Sequence, residues 1–271
     1  MSREPRAVRS TCLITDIEGF RTRDAATQRE MQRRLVTMTE WGLRKGGIRR
    51  YQARYQDRGD GQLVILPAGI DEFTVVPTFI LSLRDALADS NREGSIGRMR
   101  VRLALAQGVV QDGYLGVVSR AVVVASTIVD ADALRRLLTA SRHSDLAVAL
   151  TDDIYTDVVV PKPTPLSDRA FTAVSIPAKN NERIGVHIQA LHTVDAKPAG
   201  RASFDPTVAG FALAGIGLPG LLPIADQMVH EHDYFGPDED SHVDSAWHPE
   251  DTHALAEHDD GDEPDDDQGW P

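Results

Sequence analysis

TCLITDIEGF at residues 11–20 and RYQDRGDGQLVILP at residues 54–67 are two apolar, strand-like runs, and each delivers an aspartate beside a glycine. The first run carries Asp16, and the second carries Asp60 between Gly59 and Gly61. Carboxylates at the ends of neighbouring strands can share one or two hard cations, and adjacent glycines let a phosphate chain approach the backbone closely. Spacing alone admits a plainer pair of roles, with Asp16 as a helix N-cap and Asp60 as a hairpin-turn residue.

Outward from these two runs, strands and helices alternate. Arg9 to Thr15 reads as a buried strand. Residues 24–44 read as a helix whose Met31, Leu35, Met38 and Trp41 recur at helical spacing. Ile48 to Gln56 leads through RGDG into Gln62 to Leu66, the pattern of a hairpin. Asp71 to Asn91 is a second helix with Phe73, Val76, Ile80, Leu83 and Leu87 as its stripe. RMRVRLALAQGVV at 98–110 alternates like a half-exposed strand before turning continuously apolar. Ala121 to Ala140 is a third helix, Leu146 to Leu150 a short strand and Asp152 to Val158 a short helix. Phe171 to Val174 and Ile184 to Leu191 look like closing strands. The order predicts an α+β domain, a mostly antiparallel, ferredoxin-like sheet with helices on one face.

Length and charge set the outer limits. The 271 residues allow one domain over about residues 1–192 with a sizeable core, followed by a linker and apolar segment at 193–225 and a tail at 226–271. The tail holds 17 of the 41 acidic residues and no Lys or Arg, so the part before it has 29 basic against 24 acidic groups. The formal charge of −12 thus describes the tail, and the head is mildly basic. A single cysteine, Cys12, excludes an internal disulfide framework, and MSREPRAVRS has no apolar signal core, which predicts a cytoplasmic protein.

Four segments in this order resemble a known family. DIEGF after an apolar strand, GDG in a hairpin, the strand RVRLALAQGVV and the helix SRAVVVASTIVDADALRRLL look like the signature segments of class III nucleotidyl cyclases, the adenylate and guanylate cyclases. The likeness spans roughly residues 7–191, and is nearest to compact actinobacterial cyclase-like proteins related to the pyrimidine cyclases of antiphage signalling. It implies attack by a ribose 3′ oxygen on the α-phosphorus of a nucleoside triphosphate, with pyrophosphate leaving and two divalent cations, Mg²⁺ or Mn²⁺, assisting. By position, Asp16 and Asp60 match the family's metal aspartates. The backbone of Ile17, Glu18, Gly19, Phe20 and Gly59 falls where the triphosphate would lie, with Phe20 itself read as a core residue beneath the loop.

The likeness also implies what is missing. Active members supply from the later helix an asparagine that orients the ribose and, four residues on, an arginine that stabilises charge in the transition state. Here those positions fall at Val123 and Thr127. Valine has no hydrogen-bonding group and threonine no charge. Losing one such donor typically costs about 10²- to 10³-fold in rate, so a symmetric dimer lacking both is expected to be slow. Arg120, Arg135 and Arg136 flank or follow these positions and could reach a phosphate by another route, although solvated helix surface is the simpler reading. Pairing with another cyclase-like chain, as homodimer or heterodimer, would bring the absent groups from a partner. A catalytically degenerate module that binds nucleotide or a partner protein is the alternative.

Base choice falls to Gln56, four residues before Asp60, which could bond several bases and names none of them. Tyr51 and Tyr55 are candidates for stacking on a base. The dense arginines between residues 21 and 58 interleave with a helix's apolar stripe, so they read as a solvated helix face, and nucleic acid is not an expected partner. VAGFALAGIGLPGLLPIA at 208–225 is uncharged over 18 residues but diluted by Gly, Pro and Ala, which favours a short docking segment over a membrane contact. His-Glu-His at 230–232 sits in an acidic tail with six histidines and irregular spacing, a weak metal signal. That tail is expected to be disordered, and it could fold over the basic head to compete with nucleotide.

Overall fold

Alternate residues of the central strands feed two separate apolar clusters, and this divides the molecule into layers. The computed structural model describes residues 7–114, 116–161, 166 and 171–192. The apolar segment at 208–225 and the acidic tail lie outside the described residues. The strands are β1 (Val8–Ile17), β2 (Arg54–Asp57), β3 (Gly61–Ile65), β4 (Val101–Gly113), β5 (Gly116–Ser119), β6 (Ser144–Thr151), β7 (Thr172–Pro177) and β8 (Arg183–His192). They form one sheet in the order β2-β3-β1-β4-β6-β8-β7, with β5 paired to β4. Only the β4–β6 pair is parallel.

The helices are α1 (Ala25–Lys45), α2 (Glu72–Glu93), α3 (Arg120–Val129), α4 (Asp132–Ala140) and the short α5 (Asp152–Ile154). Reading β1-α1-β2-β3-α2-β4 along the chain against the sheet order β4-β1-β3-β2 gives an all-antiparallel split βαβ arrangement. This is the ferredoxin-like core the sequence pattern predicts. Helix α1 starts where the Asp24 carboxylate accepts from the amides of Ala26 and Thr27, both at 3.0 Å. It buries Met31, Leu35 and Met38, and it meets α2 where Gly42 lets the Phe79 ring approach, since a Cβ on Gly42 would lie 3.1 Å from that ring. Arg34 ties the pair together, bonding Glu30 at 2.8 Å on its own helix and Ser90 Oγ at 2.9 Å on α2.

The placement of the helices corrects the sequence reading. Leu13, Ile17, Val64, Leu103, Leu105 and Val148 point to the face that α1 and α2 cover. Cys12, Ile14, Leu63, Ala104, Ala106, Ala147 and Ala149 point to the other face, where they meet Ala125, Ile128, Leu134 and Leu138. Helices α3 and α4 therefore pack opposite α1 and α2, and the sheet is covered on both sides. The physical reason is that β1, β4 and β6 are apolar on both faces, and a sheet of that kind needs two covers. The alanines of β4 and β6 admit the second pair of helices closely.

Local boundaries differ as well. The single helix expected over Ala121–Ala140 is two, broken where Ala131 adopts an extended conformation (φ −67°, ψ 140°). Residues 50–52 form a 3-10 turn, so the hairpin's first strand begins only at Arg54. Among the described residues no helix is long and apolar enough to cross a membrane.

One glycine fixes how the two aspartate-bearing strands meet. Asp16 pairs with Gly61, and a Cβ on Gly61 would lie 1.8 Å from the carbonyl oxygen of Thr15. Gly59, two residues earlier, has φ +80° and open space around it. Gly61→Ala is therefore expected to destabilise the protein by about 2 kcal/mol or more through backbone displacement, and Gly59→Ala by about 1 kcal/mol through left-handed strain alone. Urea denaturation of both variants checks the order, and a Gly61→Ala protein as stable as wild type would contradict this account of the strand contact.

Candidate functional site

The β1, β3 and β4 pairings place Asp16 between Gly61 on one side and Arg102 on the other. Residues directly opposite in antiparallel strands share a face. Asp16 continues the Cys12 and Ile14 series, so its side chain belongs to the face covered by α3 and α4. The Asp16 carboxylate is largely buried, and Arg102 donates to its Oδ2 from Nε at 3.0 Å and from Nη2. Burial raises the Asp16 pKa above the usual carboxylate range, the Arg102 hydrogen bonds and charge counter that rise, and the neighbouring charges of Asp60 and Asp130 add to it.

Asp60 reaches the same spot from the hairpin. The Ile17 amide donates to the Asp60 carbonyl at 2.8 Å, which docks the RGDG turn on the end of β1. The turn closes with Arg58 N–H to Gly61 O at 3.0 Å, and Gln32 of α1 donates to Gly59 O at 2.6 Å. Arg21 stands 3.8 Å from an Asp60 carboxylate oxygen. The two carboxylates thus lie close enough to feel one another's charge, on elements braced by backbone bonds.

Around the DIEGF bend the structure narrows the expected phosphate contacts. The Ile17 amide is committed to Asp60 and the Glu18 amide to Arg100 O at 2.9 Å. Gly19, with φ +68°, and Phe20 keep amides without an acceptor among the described residues. The Phe20 side chain packs in the α1–α2 core. The Glu18 side chain pairs with Arg100 at 2.8 Å, and Arg100 in turn donates to the carbonyls of Ser141 at 3.1 Å and Leu138 at the end of α4. Glu18 therefore anchors an arginine, and its charge would repel a phosphate.

Gln56 lines a cavity of about 260 Å³ with Arg54, Tyr55, Leu63, Ile65, Gly116 and Val117. It pairs with Leu63 and so shares the face of Asp16. Tyr55 packs against the opposite face with the Arg50 guanidinium 4.8 Å from its ring centre, and Tyr51 is 78% exposed on the 3-10 turn. Tyr55 lines the Gln56 cavity although its ring packs toward the opposite face, and Tyr51 is not among the residues lining that cavity.

Helix α3 runs back along β4, with its start at Gly108, where a Cβ would meet Ala121 at 3.1 Å. Val123 is 62% exposed, and Thr127 spends its hydroxyl on the Val123 carbonyl at 2.9 Å. Arg120 pairs with Glu182 at 3.1 Å and Arg135 with Asp130 at 3.3 Å, so both are engaged on the surface. A larger groove of about 590 Å³ lies beside α3 and is bordered by Val109, Val118, Arg120 and Val124.

The donor set fits a hard cation. Asp16 Oδ1 has no hydrogen bond among the described residues, and Asp60 offers a second carboxylate. No group of three or more His, Cys, Asp or Glu side chains assembles among the described residues. Mg²⁺ is commonly held by one or two carboxylates with substrate phosphates and water completing the shell. Sequence reasoning missed Arg102 and Arg100, although RMRVR alternates so as to put arginines on the same face as the buried aspartate.

No protein-family profile matches the chain, and no curated protein matches it. Among solved structures it is similar to an adenylate/guanylate cyclase/hydrolase from Silicibacter pomeroyi, at 16% identity over 69% of this chain and 99% of that one, with a TM-score of 0.47. It is similar also to the guanylyl cyclase Cya2, at 14% identity over 73% and 98% of the two chains and a TM-score of 0.46. A third is the guanylate cyclase domain of RhGC from Catenaria anguillulae in complex with GTP, at 13% identity over 69% and 100%, with a TM-score of 0.46. Likenesses this remote carry no argument about chemistry, which has to come from the chain's own residues.

Removing the partner of a buried carboxylate exposes its cost. Arg102→Leu is expected to destabilise the protein by about 2 to 4 kcal/mol near pH 8. The raised Asp16 pKa sets the sign with pH. Asp16 is neutral in both folded and unfolded states at the lowest pH, so stability falls as pH rises from about 3.9 through the higher folded value, and it falls further in the variant. Denaturation at pH 4 and pH 8 should show a penalty that shrinks at the lower pH; an equal penalty at both would contradict the pairing.

Proposed function

We propose that this chain is a class III nucleotidyl cyclase-like protein that converts a nucleoside triphosphate to a 3′,5′-cyclic mononucleotide and pyrophosphate, weakly or with a partner chain. The observation that carries the reading is the strand register that brings Asp16 beside the Asp60 hairpin on one face of the sheet. The order of the four cyclase-like segments and the ferredoxin-like core support it.

In this reading Asp16 Oδ1 and Asp60 hold two divalent cations, Mg²⁺ or Mn²⁺, while Arg102 keeps Asp16 charged and aimed. When bound, such cations neutralise phosphate oxygens and stabilise the attacking and leaving oxygens of the displacement. The Gly19 and Phe20 amides, at the mouth of the DIEGF bend, are the donors left for the triphosphate. Gly59 lets that chain pass close to the turn. Gln56 meets the base from its small cavity, which accepts several bases and sets no choice among ATP, GTP, CTP and UTP.

Val123 and Thr127 offer the ribose and phosphate nothing, which supports partner dependence. In this reading a second cyclase-like chain, the same or different, brings the missing groups. A second reading, a pseudo-cyclase that binds nucleotide or a partner and regulates, is favoured by the Thr127 hydroxyl being spent on its own helix.

Purified protein incubated with each nucleoside triphosphate and Mg²⁺ or Mn²⁺ separates the two. Cyclic product from wild type, reduced about 10²-fold or more by Asp60→Ala, is the expected result. No product with any metal, and some restored by Thr127→Arg, would instead establish the degenerate reading for the isolated chain.

A further inference from the structure

We infer that Arg58 contacts the phosphate chain of a nucleotide held at Asp16 and Asp60, supplying a guanidinium from the hairpin itself. The inference rests on the proposed triphosphate site and adds a residue to it. Arg58 follows Asp57 in the β2–β3 ladder, so its amide bond to Gly61 extends the row Arg58, Gly61, Asp16, Arg102 across four strands. Residues in one such row share a face. Its guanidinium crosses to α3, where Nη1 donates to Ser126 Oγ at 2.8 Å, one residue before Thr127. The side chain therefore lies over the Asp16 face of the sheet, beside α3.

Four other arginines near this face have carboxylate partners. Arg102 is bound to Asp16, Arg100 to Glu18, Arg120 to Glu182 and Arg135 to Asp130. Arg58 has no carboxylate partner among the described residues, and its one side-chain bond goes to a neutral hydroxyl. A guanidinium has five N–H donors, so most remain for a planar, bidentate grip on phosphate oxygens. Its backbone is fixed on both sides, by the closed turn and by the Gln32 bond to Gly59, so little ordering is left to occur on binding.

A structural bracket between hairpin and helix is the competing role, and it makes a different prediction. Calorimetric titration of the full-length protein with inorganic triphosphate in the presence of Mn²⁺ gives a readout independent of catalysis. Arg58→Gln is expected to weaken binding about 10- to 100-fold and Arg58→Lys less, while Ser126→Ala leaves it within about twofold. Equal losses in Arg58→Gln and Ser126→Ala would overturn the phosphate role in favour of the bracket. Triphosphate binding that Asp60→Asn weakens and Arg58→Gln leaves unchanged would overturn the role of Arg58 alone. No binding by wild type would overturn both the role and the triphosphate site beneath it.

Discussion

A carboxylate buried in a sheet must have its charge compensated, and in this protein Asp16 obtains that compensation from Arg102 on the neighbouring strand. Much else depends on the arrangement. The β1–β4 ladder has to hold the two residues opposite one another, and the β1–β3 ladder then brings Gly61 and the RGDG turn to the same point. Only glycine tolerates the approach of β3 to the Thr15 carbonyl. With that contact made, the Ile17 amide can bind Asp60, and two acidic groups that lie far apart in the chain become neighbours. Their proximity costs electrostatic energy, which Arg102 offsets at Asp16.

Much of this was legible in the sequence. The apolar stripe of α1 and the strand-turn-strand pattern around GDG each follow a local rule, and each local rule agrees with the fold. What local rules cannot show is which side of the sheet a helix covers. Helices α3 and α4 were expected beside α1 and α2, yet the alanines at 104, 106, 147 and 149 make a second, flatter face that accepts them. The break at Ala131 was hidden because alanine is compatible with both helix and extended backbone. The partner of Asp16 was hidden for a different reason, since RVR reads as an ordinary half-exposed strand until the register with β1 is known. Glu18 belongs with these, as its role in anchoring Arg100 depends on a contact 82 residues away in sequence.

The site as a whole is uneven. On one side stand two aspartates, a braced turn, amides at Gly19 and Phe20 with no acceptor among the described residues, and a small cavity at Gln56. On the other stands a helix whose outward positions are an exposed valine and a threonine bonded to its own backbone. Such asymmetry is what a chain that supplies one half of a shared site would display. It is also what remains when catalysis is lost and nucleotide binding is kept. Both descriptions require the same thing of the aspartates, namely that they hold cations against a triphosphate.

That requirement can be measured directly by electron paramagnetic resonance of Mn²⁺ with a non-reactive nucleoside triphosphate analogue. The account predicts that the wild-type chain broadens the signal of the Mn²⁺–nucleotide complex and that Asp16→Asn and Asp60→Asn each abolish most of the broadening. A free Mn²⁺–nucleotide spectrum with wild type, or broadening that survives both substitutions, would contradict it.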